Sequence, residues 1–342
     1  MREISIQKNE AGQRMDKFLA KYLNKAPKSF FYKMMRKKNI TLNGKKAVGN
    51  EQLKQGDVIK LFLAEETIEN FIDHSQFSKK KASSARKQTA GKKVQLDILY
   101  EDEAAVFINK PVGMLSQKAS QTDTSLVEYF IDYLLENGKI TEEELHTFHP
   151  SVCNRLDRNT SGIVAAGKTL QALQGLSEMF RDRTLKKYYL CLVKGQVKEN
   201  QRIHGYLVKN EKTNKVMVSQ KKPAEQTKDG KEASAIDTEY KVLARNKETT
   251  LLEVHLITGK THQIRAHLAS IGHPIAGDYK YGNRSFNDAL KKEYGLRSQL
   301  LHAYRLEFPE NCEGDIKQLS GKIIKAPVPA LFERICKAQG VM

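Results

Sequence analysis

Nine residues, Asn154-Arg155-Leu156-Asp157-Arg158-Asn159-Thr160-Ser161-Gly162, set one carboxylate between two guanidinium groups and then turn. Nearby positive charge favours the charged form of a carboxylate. Asp157 is therefore a candidate reacting group, a nucleophile or a base presented at the edge of a loop. Extended backbone would put Arg155 and Asp157 on one face and Arg158 on the other. Asn159 to Gly162 are turn formers whose side chains bond the backbone locally. Taken alone, Arg-Leu-Asp-Arg is equally a salt bridge at a turn, and most such surface pairs contribute little.

Other chemistries have weaker claims. Gly162-Ile163-Val164-Ala165-Ala166-Gly167-Lys168-Thr169 matches the phosphate-binding pattern G-x-x-x-x-G-K-[ST] letter for letter. Such a loop needs a buried strand before its first glycine and a flexible segment between the glycines. Here charged and polar residues precede Gly162, four strand formers separate the glycines, and Gly175 interrupts the helix that would follow. Nucleotide hydrolysis is not expected. His262 and His267 lie near Asp278, but a spacing of i, i+5 does not bring two ligands to one helical face. No second carboxylate cluster accompanies them, so no metal is expected. There is no Gly-x-Ser-x-Gly elbow for acyl transfer. Cys153, Cys191, Cys312 and Cys336 form no C-x-x-C pair, which suits reduced thiols in a cytoplasm rather than a zinc site. Nothing near Cys153 marks it as an activated thiol.

The elements that must position Asp157 follow from pattern and charge. The chain has 342 residues and a formal net charge of +18, which points to a polyanionic partner, nucleic acid before membrane. No apolar run reaches the length of a spanning helix, and Met1-Arg2-Glu3-Ile4-Ser5 has no signal-peptide core, so no membrane partner is expected. Residues 1–64 read as a small α/β RNA-binding module. Its first helix carries Met15, Phe18, Leu19, Tyr22 and Leu23. Its second, over Ser29 to Lys38, gathers Lys33, Arg36, Lys37 and Lys38 for contact with phosphates. Short strands follow at Ile40–Leu42 and Val58–Leu63. Residues 65–93 read as a flexible basic linker, with no acidic residue from His74 to Leu96.

Residues 94–342 read as the catalytic domain. Strands are expected near 96–100, 104–109, 163–166, 187–193, 235–243, 251–257 and 300–308. Helices are expected after Ser125, over 170–180, from Gly259 to Ser270 and over 329–337. A polar hairpin or loop is expected over 199–231, and no element is assigned between Asp278 and Leu300. Strands and helices intermix without a βαβ rhythm. The fold class is α+β, with a mixed, mostly antiparallel sheet flanked by helices.

With these in place the stretch around Asp157 resembles the His-Arg-Leu-Asp-x-x-Thr-Ser-Gly signature of the RluA-type pseudouridine synthases, in their RluC/RluD-like branch. Lys110-Pro111-Val112-Gly113 resembles their upstream Lys-Pro-x-Gly motif. Lys187-Tyr188-Tyr189-Leu190-Cys191-Leu192-Val193-Lys194-Gly195 resembles their Lys-x-Tyr-x-Ala-x-Val-x-Gly strand. Thr258 to Leu268, followed by Gly277-Asp278, looks like their Thr-Gly-Arg-Thr-His-Gln-Ile-Arg-x-His motif with its Gly-Asp tail. Leu301-His302-Ala303 fits a late Leu-His-Ala motif. The likeness runs from about Val94 to the C-terminus, and the first segment looks like the small alpha-L RNA-binding module that often precedes this domain.

The resemblance implies a cofactor-free isomerase that detaches uracil from C1′ of a uridine in RNA and rejoins it through C5. Asp157 would be the catalytic aspartate, whether it attacks the sugar, attacks the base or removes a sugar proton. Arg265 would pair with it, and Tyr189 would stack near the uracil. Arg155 would fill the space left by the flipped nucleotide, and Lys110 would sit at the rim of the cleft facing phosphates. Asn154, Asn159, Gln117 and Lys260 depart from the family pattern, and with them the target uridine. The expected partner is ribosomal RNA or a ribosome-assembly intermediate, bound by a cytoplasmic monomer. The alternative is a non-catalytic RNA-binding or ribosome-assembly factor on the same fold.

Overall fold

The computed structural model describes residues 1–7, 9–73, 94–142, 144–210, 215–222 and 233–342. In the first part of the chain α1 (Met15–Tyr22) buries Met15, Phe18 and Leu19 at helical spacing. Helix α2 (Lys28–Arg36) buries Phe31 and Met35 in the same core and leaves Lys33, Arg36, Lys37 and Lys38 exposed. It stops short of Lys38, whose φ of 60° is left-handed and cannot continue a helix. Strands β1 (Arg2–Ser5), β2 (Ile40–Leu42), β3 (Lys45–Lys46) and β4 (Val58–Leu61) form a sheet in the order β1-β4-β2-β3. The sequence does not announce β1, because Ile4 is its only apolar residue.

The linker reading needs correction at its start. Glu65–Asn70 is a helix, α3, and Ile68 and Ile72 are buried in the core beneath α1. Within the helix Ile68 is the one apolar residue, and Phe71 and Ile72 follow its end, too faint a stripe to read as a packed helix. The basic run over 74–93 lies outside the described residues.

The second sheet has eleven strands. They are β5 (Ile98–Glu101), β6 (Ala105–Lys110), β7 (Ser151–Val152), β8 (Ser161–Gly167), β9 (Lys186–Lys194), β10 (Gln201–Asn210), β11 (Lys215–Ser219), β12 (Ser234–Arg245), β13 (Thr249–Leu256), β14 (Leu301–Glu307) and β15 (Ile323–Lys325). The order is β11-β10-β12-β13-β9-β14-β8-β6-β5, with β15 on β14 and β7 on β8. Neighbours are antiparallel except at β14 and β8, which run parallel with His302 opposite Ser161. The fold is thus α+β on a mostly antiparallel sheet, as the element pattern predicts. One row of residues crosses this junction, Lys110 opposite Gly162, Gly162 opposite Ala303, Ala303 opposite Tyr189 and Tyr189 opposite Val254. Only glycine fits the crossing. Gly162 has φ +112°, and a Cβ there would lie 2.1 Å from the Ala303 carbonyl oxygen.

Helices cover both faces. Helix α4 (Leu126–Glu136) opens on the capping box of Ser125 and Glu128. It packs Leu126, Phe130 and Leu134 with Val106, Val164 and Tyr189. On the other face α5 (Leu170–Asp182) sets Ala172 and Leu176 against Phe107, Ile163 and Ala165. It runs unbroken through Gly175, where a Cβ would come within 3.0 Å of Ile316 Cδ1, so that glycine permits close packing rather than ending the helix. The phosphate-loop lookalike is therefore a buried strand and a helix cap. Lys168 Nζ donates to Glu101 Oε1 (2.8 Å), and Thr169 Oγ1 accepts from the Ala172 N–H. Helix α6 (Gln263–Ser270) carries Arg265. Helix α7 (Arg284–Tyr294) escapes sequence reading because it buries only Asn287 and Leu290; the Asn283 side chain caps it. Helix α8 (Ala330–Ala338) closes the chain.

The two parts touch: Thr147 Oγ1 donates to Glu10 Oε1 (2.6 Å) and Asn9 Nδ2 to Glu144 Oε1 (3.0 Å). Among the described residues no helix is long and apolar enough to cross a membrane.

Candidate active site

Asp157 lies on the loop between β7 and β8, and that loop is fastened along its length. The Asn154 side chain acts as a strand partner, donating to Ile163 O (3.2 Å) and accepting from the Ala165 N–H (2.8 Å). Leu156 is buried, and its N–H and carbonyl both bond Ser116 Oγ (3.0 and 2.9 Å). Lys110 is buried beneath the loop, 0% exposed, and its ammonium donates to the carbonyls of Met114 (2.8 Å), Pro111 (3.0 Å) and Arg158 (3.2 Å). The expected place of Lys110 at the rim is corrected: it ties the Lys-Pro-Val-Gly loop to the Asp157 loop from behind. Burial pulls its pKa down to about 8, against the opposing charge of Asp157. Gly113, with φ +90°, adds an N–H bond to the same Arg158 carbonyl (2.8 Å).

The guanidinium that holds Asp157 is neither of its sequence neighbours. Arg155 and Arg158 are exposed. Arg265, 108 residues further on, donates from Nη1 to Asp157 Oδ2 at 2.7 Å. The remaining edge of that guanidinium is gripped by Asp278, with Nε to Oδ2 at 2.7 Å and Nη2 to Oδ1 at 2.9 Å. The Asp278 side chain is fully buried and Arg265 nearly so. Burial would raise the Asp278 carboxyl, but the bonds and charge of Arg265 outweigh it and hold the pKa below the ordinary carboxylate value. Burial likewise works against charged Arg265, and the two carboxylates prevail and raise its pKa.

Gln263 fixes the start of α6, with donors to Asp237 O (2.9 Å) and Thr238 Oγ1 (3.0 Å) and an acceptor for Thr258 Oγ1 (2.8 Å) and the Lys260 N–H (3.1 Å). Asp157 keeps 27% of its side chain exposed. Both of its described partners meet Oδ2: Arg265, and His262 with Nε2 at 3.9 Å. Among the described residues Oδ1 has no hydrogen-bond partner.

Around this carboxylate Tyr189 is buried, and burial followed by the charge of Asp157 pushes its phenol above its ordinary pKa. His262 takes a left-handed φ of 54° just before α6, and its Nδ1 lies 2.9 Å from the Tyr281 hydroxyl. Burial lowers the His262 pKa, and Arg265 and Lys280 add to that against the pull of Asp157. The Tyr281 ring also lies beneath Arg265, 5.2 Å from Cζ to the centroid. His267 is buried and bonded to Thr238 Oγ1 (2.9 Å), so it takes no part. The Cys153 thiol is pushed up to about 12 by burial. Arg155 stands exposed beside the loop, and Lys33, Arg36, Lys37 and Lys38 lie apart on α2 and the turn that ends it.

Sequence reasoning missed Lys280 and Tyr281; it weighed and rejected a metal site near Asp278 and otherwise gave that residue only as the Gly-Asp tail of the family motif, with no role. One signal for Asp278 was available: a carboxylate ending the run Pro274-Ile275-Ala276-Gly277 must be paired if that run is buried.

Comparisons with known proteins agree on one chemistry. A family described as RNA pseudouridylate synthase matches residues 104–270. A Vibrio parahaemolyticus protein named ribosomal large subunit pseudouridine synthase C is 32% identical over 97% of this chain and 94% of its own. The Salmonella typhi protein of the same name is 32% identical over 94% and 93%. Among solved structures, human RNA pseudouridylate synthase domain containing 4 superposes with a TM-score of 0.57 at 23% identity, covering 72% of this chain and 93% of the human one.

Proposed function

The chain belongs to the RNA pseudouridylate synthase family, whose members are isomerases, and on that premise we propose that Asp157 carries the reaction, with large-subunit ribosomal RNA as the substrate. The observation that carries this reading is the asymmetry of one carboxylate. Arg265, clamped by buried Asp278, anchors Oδ2, while Oδ1 has no hydrogen-bond partner among the described residues and the side chain, whose charge is felt by Tyr189, stays partly exposed. An isomerase of this kind breaks the bond from C1′ to N1 and forms one from C1′ to C5, and the proton lost from C5 is balanced by one gained at N1. Each route open to Asp157 needs a fixed carboxylate beside the ribose. Tyr189 forms a wall for the uracil, and exposed Arg155 is placed to occupy the stack after the base has left it. Lys110 acts from behind the loop, as an anchor rather than a phosphate contact.

Residues 1–64 serve as the RNA-holding module, in the manner of the alpha-L type. Lys33, Arg36, Lys37 and Lys38 face the phosphates, and among the described residues none of them pairs with a carboxylate. The names of the relatives support ribosomal RNA as the target. The reading includes a cytoplasmic enzyme working as a monomer. Pseudouridine mapping across ribosomal and transfer RNA from cells with and without this protein tests the reading. Loss of one or a few large-subunit positions is the expected result. Full modification of every RNA without the protein would instead favour a binding or assembly factor.

A further inference from the structure

Tyr281 meets three residues at once. Its hydroxyl accepts the Val216 N–H of β11 at 3.0 Å and lies 2.9 Å from His262 Nδ1, while its ring packs beneath Arg265 and edge-on to His262. Val216 belongs to the β10–β11 hairpin at the edge of the sheet, which docks on α6 through a small cluster of its own: Leu207, Val216, Ile236 and Ala266, with Tyr281 at its margin. The hydrogen bonds around one hydroxyl then settle a proton. A phenol has one proton to donate. Since Val216 N–H already donates to the oxygen, full pairing requires Tyr281 to donate to Nδ1, so that Nδ1 is the acceptor and the ring proton sits on Nε2. The opposite tautomer would aim two N–H groups at one oxygen and leave the phenolic proton without an acceptor. Nε2 is the atom that faces Asp157 Oδ2 at 3.9 Å.

We propose that Tyr281 is a positioning residue: it fixes His262 as the Nε2–H tautomer facing Asp157, and it links that seating to the docking of the β10–β11 hairpin. Arg265 then bonds Oδ2 and the Nε2–H of His262 turns toward the same oxygen from 3.9 Å, which biases the carboxylate to that side. A hairpin lifted from α6 withdraws the Val216 N–H, and the phenolic hydroxyl is then free to accept from Nδ1 instead. The catalytic consequence rests on Asp157 being the reacting group, whereas the tautomer does not, so the two can fail separately.

Nitrogen-15 NMR of the histidine-labelled full chain reads the tautomer directly. The Nε2–H form of His262 is expected, with a mixture of tautomers in Tyr281→Phe, which keeps the ring and removes only the hydroxyl. An Nδ1–H form in the unaltered chain overturns the proposal whatever becomes of the variant. In kinetics, Tyr281→Phe should lower kcat about tenfold while KM and RNA affinity change less than about twofold. The same substitution in a His262→Gln background should cost nothing further. Additive losses in that cycle, or an unchanged kcat with an unchanged tautomer, would also overturn it.

Discussion

At the residue scale, one guanidinium fork serves two carboxylates, and the proposed chemistry rests on it. Arg265 gives Nε and Nη2 to Asp278 and Nη1 to Asp157, and lysine cannot occupy both directions. Arg265→Lys should therefore lower kcat about a hundredfold with little change in RNA affinity, measured by single-turnover conversion and by filter binding. Equal activity would show that the clamp is dispensable. Asp278→Asn removes the buried carboxylate that grips two edges of Arg265, leaving it only the partly exposed Asp157, and should cost about 3–5 kcal/mol in urea unfolding; a loss under about 1 kcal/mol would contradict the burial argument. The meeting of Asp157 and Arg265 is legible in the sequence, because each lies in a recognisable string. Tyr281 is not, because its bonds to Val216 and His262 come from strand register and a helix start that no local pattern encodes.

At the scale of elements, the parallel pairing of β8 and β14 decides where the carboxylate sits. Ser161 Oγ bonds His302 Nδ1 at 2.9 Å across that pairing, on a fully buried imidazole. Burial lowers the His302 pKa from 6.5 to about 4, against the pull of neighbouring backbone groups. As acid is added the unfolded chain takes up this proton first, near pH 6.5. The stabilisation is therefore complete above 6.5 and is lost as the pH falls toward 4, about 3 kcal/mol in all. His302→Asn should flatten the dependence of urea midpoints on pH between those values, and an unchanged slope would mean that other groups govern acid unfolding. Strands β6, β8 and β9 are plain in the sequence because runs such as Ile163-Val164-Ala165-Ala166 have strand composition. Helix α7 is not, since nearly all of its face is polar and its cap Asn283 has many other uses.

At the scale of the molecule, a net charge of +18 and an exposed basic helix motivate the proposed division between holding RNA and reacting with it. Replacing Lys33, Arg36, Lys37 and Lys38 by glutamine should weaken affinity and flatten its salt dependence, by about 0.7–0.9 in the log–log slope for each phosphate no longer neutralised. An unaltered slope would show that α2 does not hold RNA. Charge and composition make the basic module and the α+β class readable. They do not reveal that Glu10 and Thr147 bring the two parts together, because one buried hydrogen bond leaves no periodic trace. The central claim is that Asp157 performs the reaction while the rest of the chain places it. Purified Asp157→Asn, assayed on large-subunit RNA lacking the modification, tests it most directly. It should bind that RNA within about twofold of the unaltered protein, since affinity rests on many Lys and Arg side chains, and form no pseudouridine. Conversion of uridine by that variant would show that another group carries the chemistry.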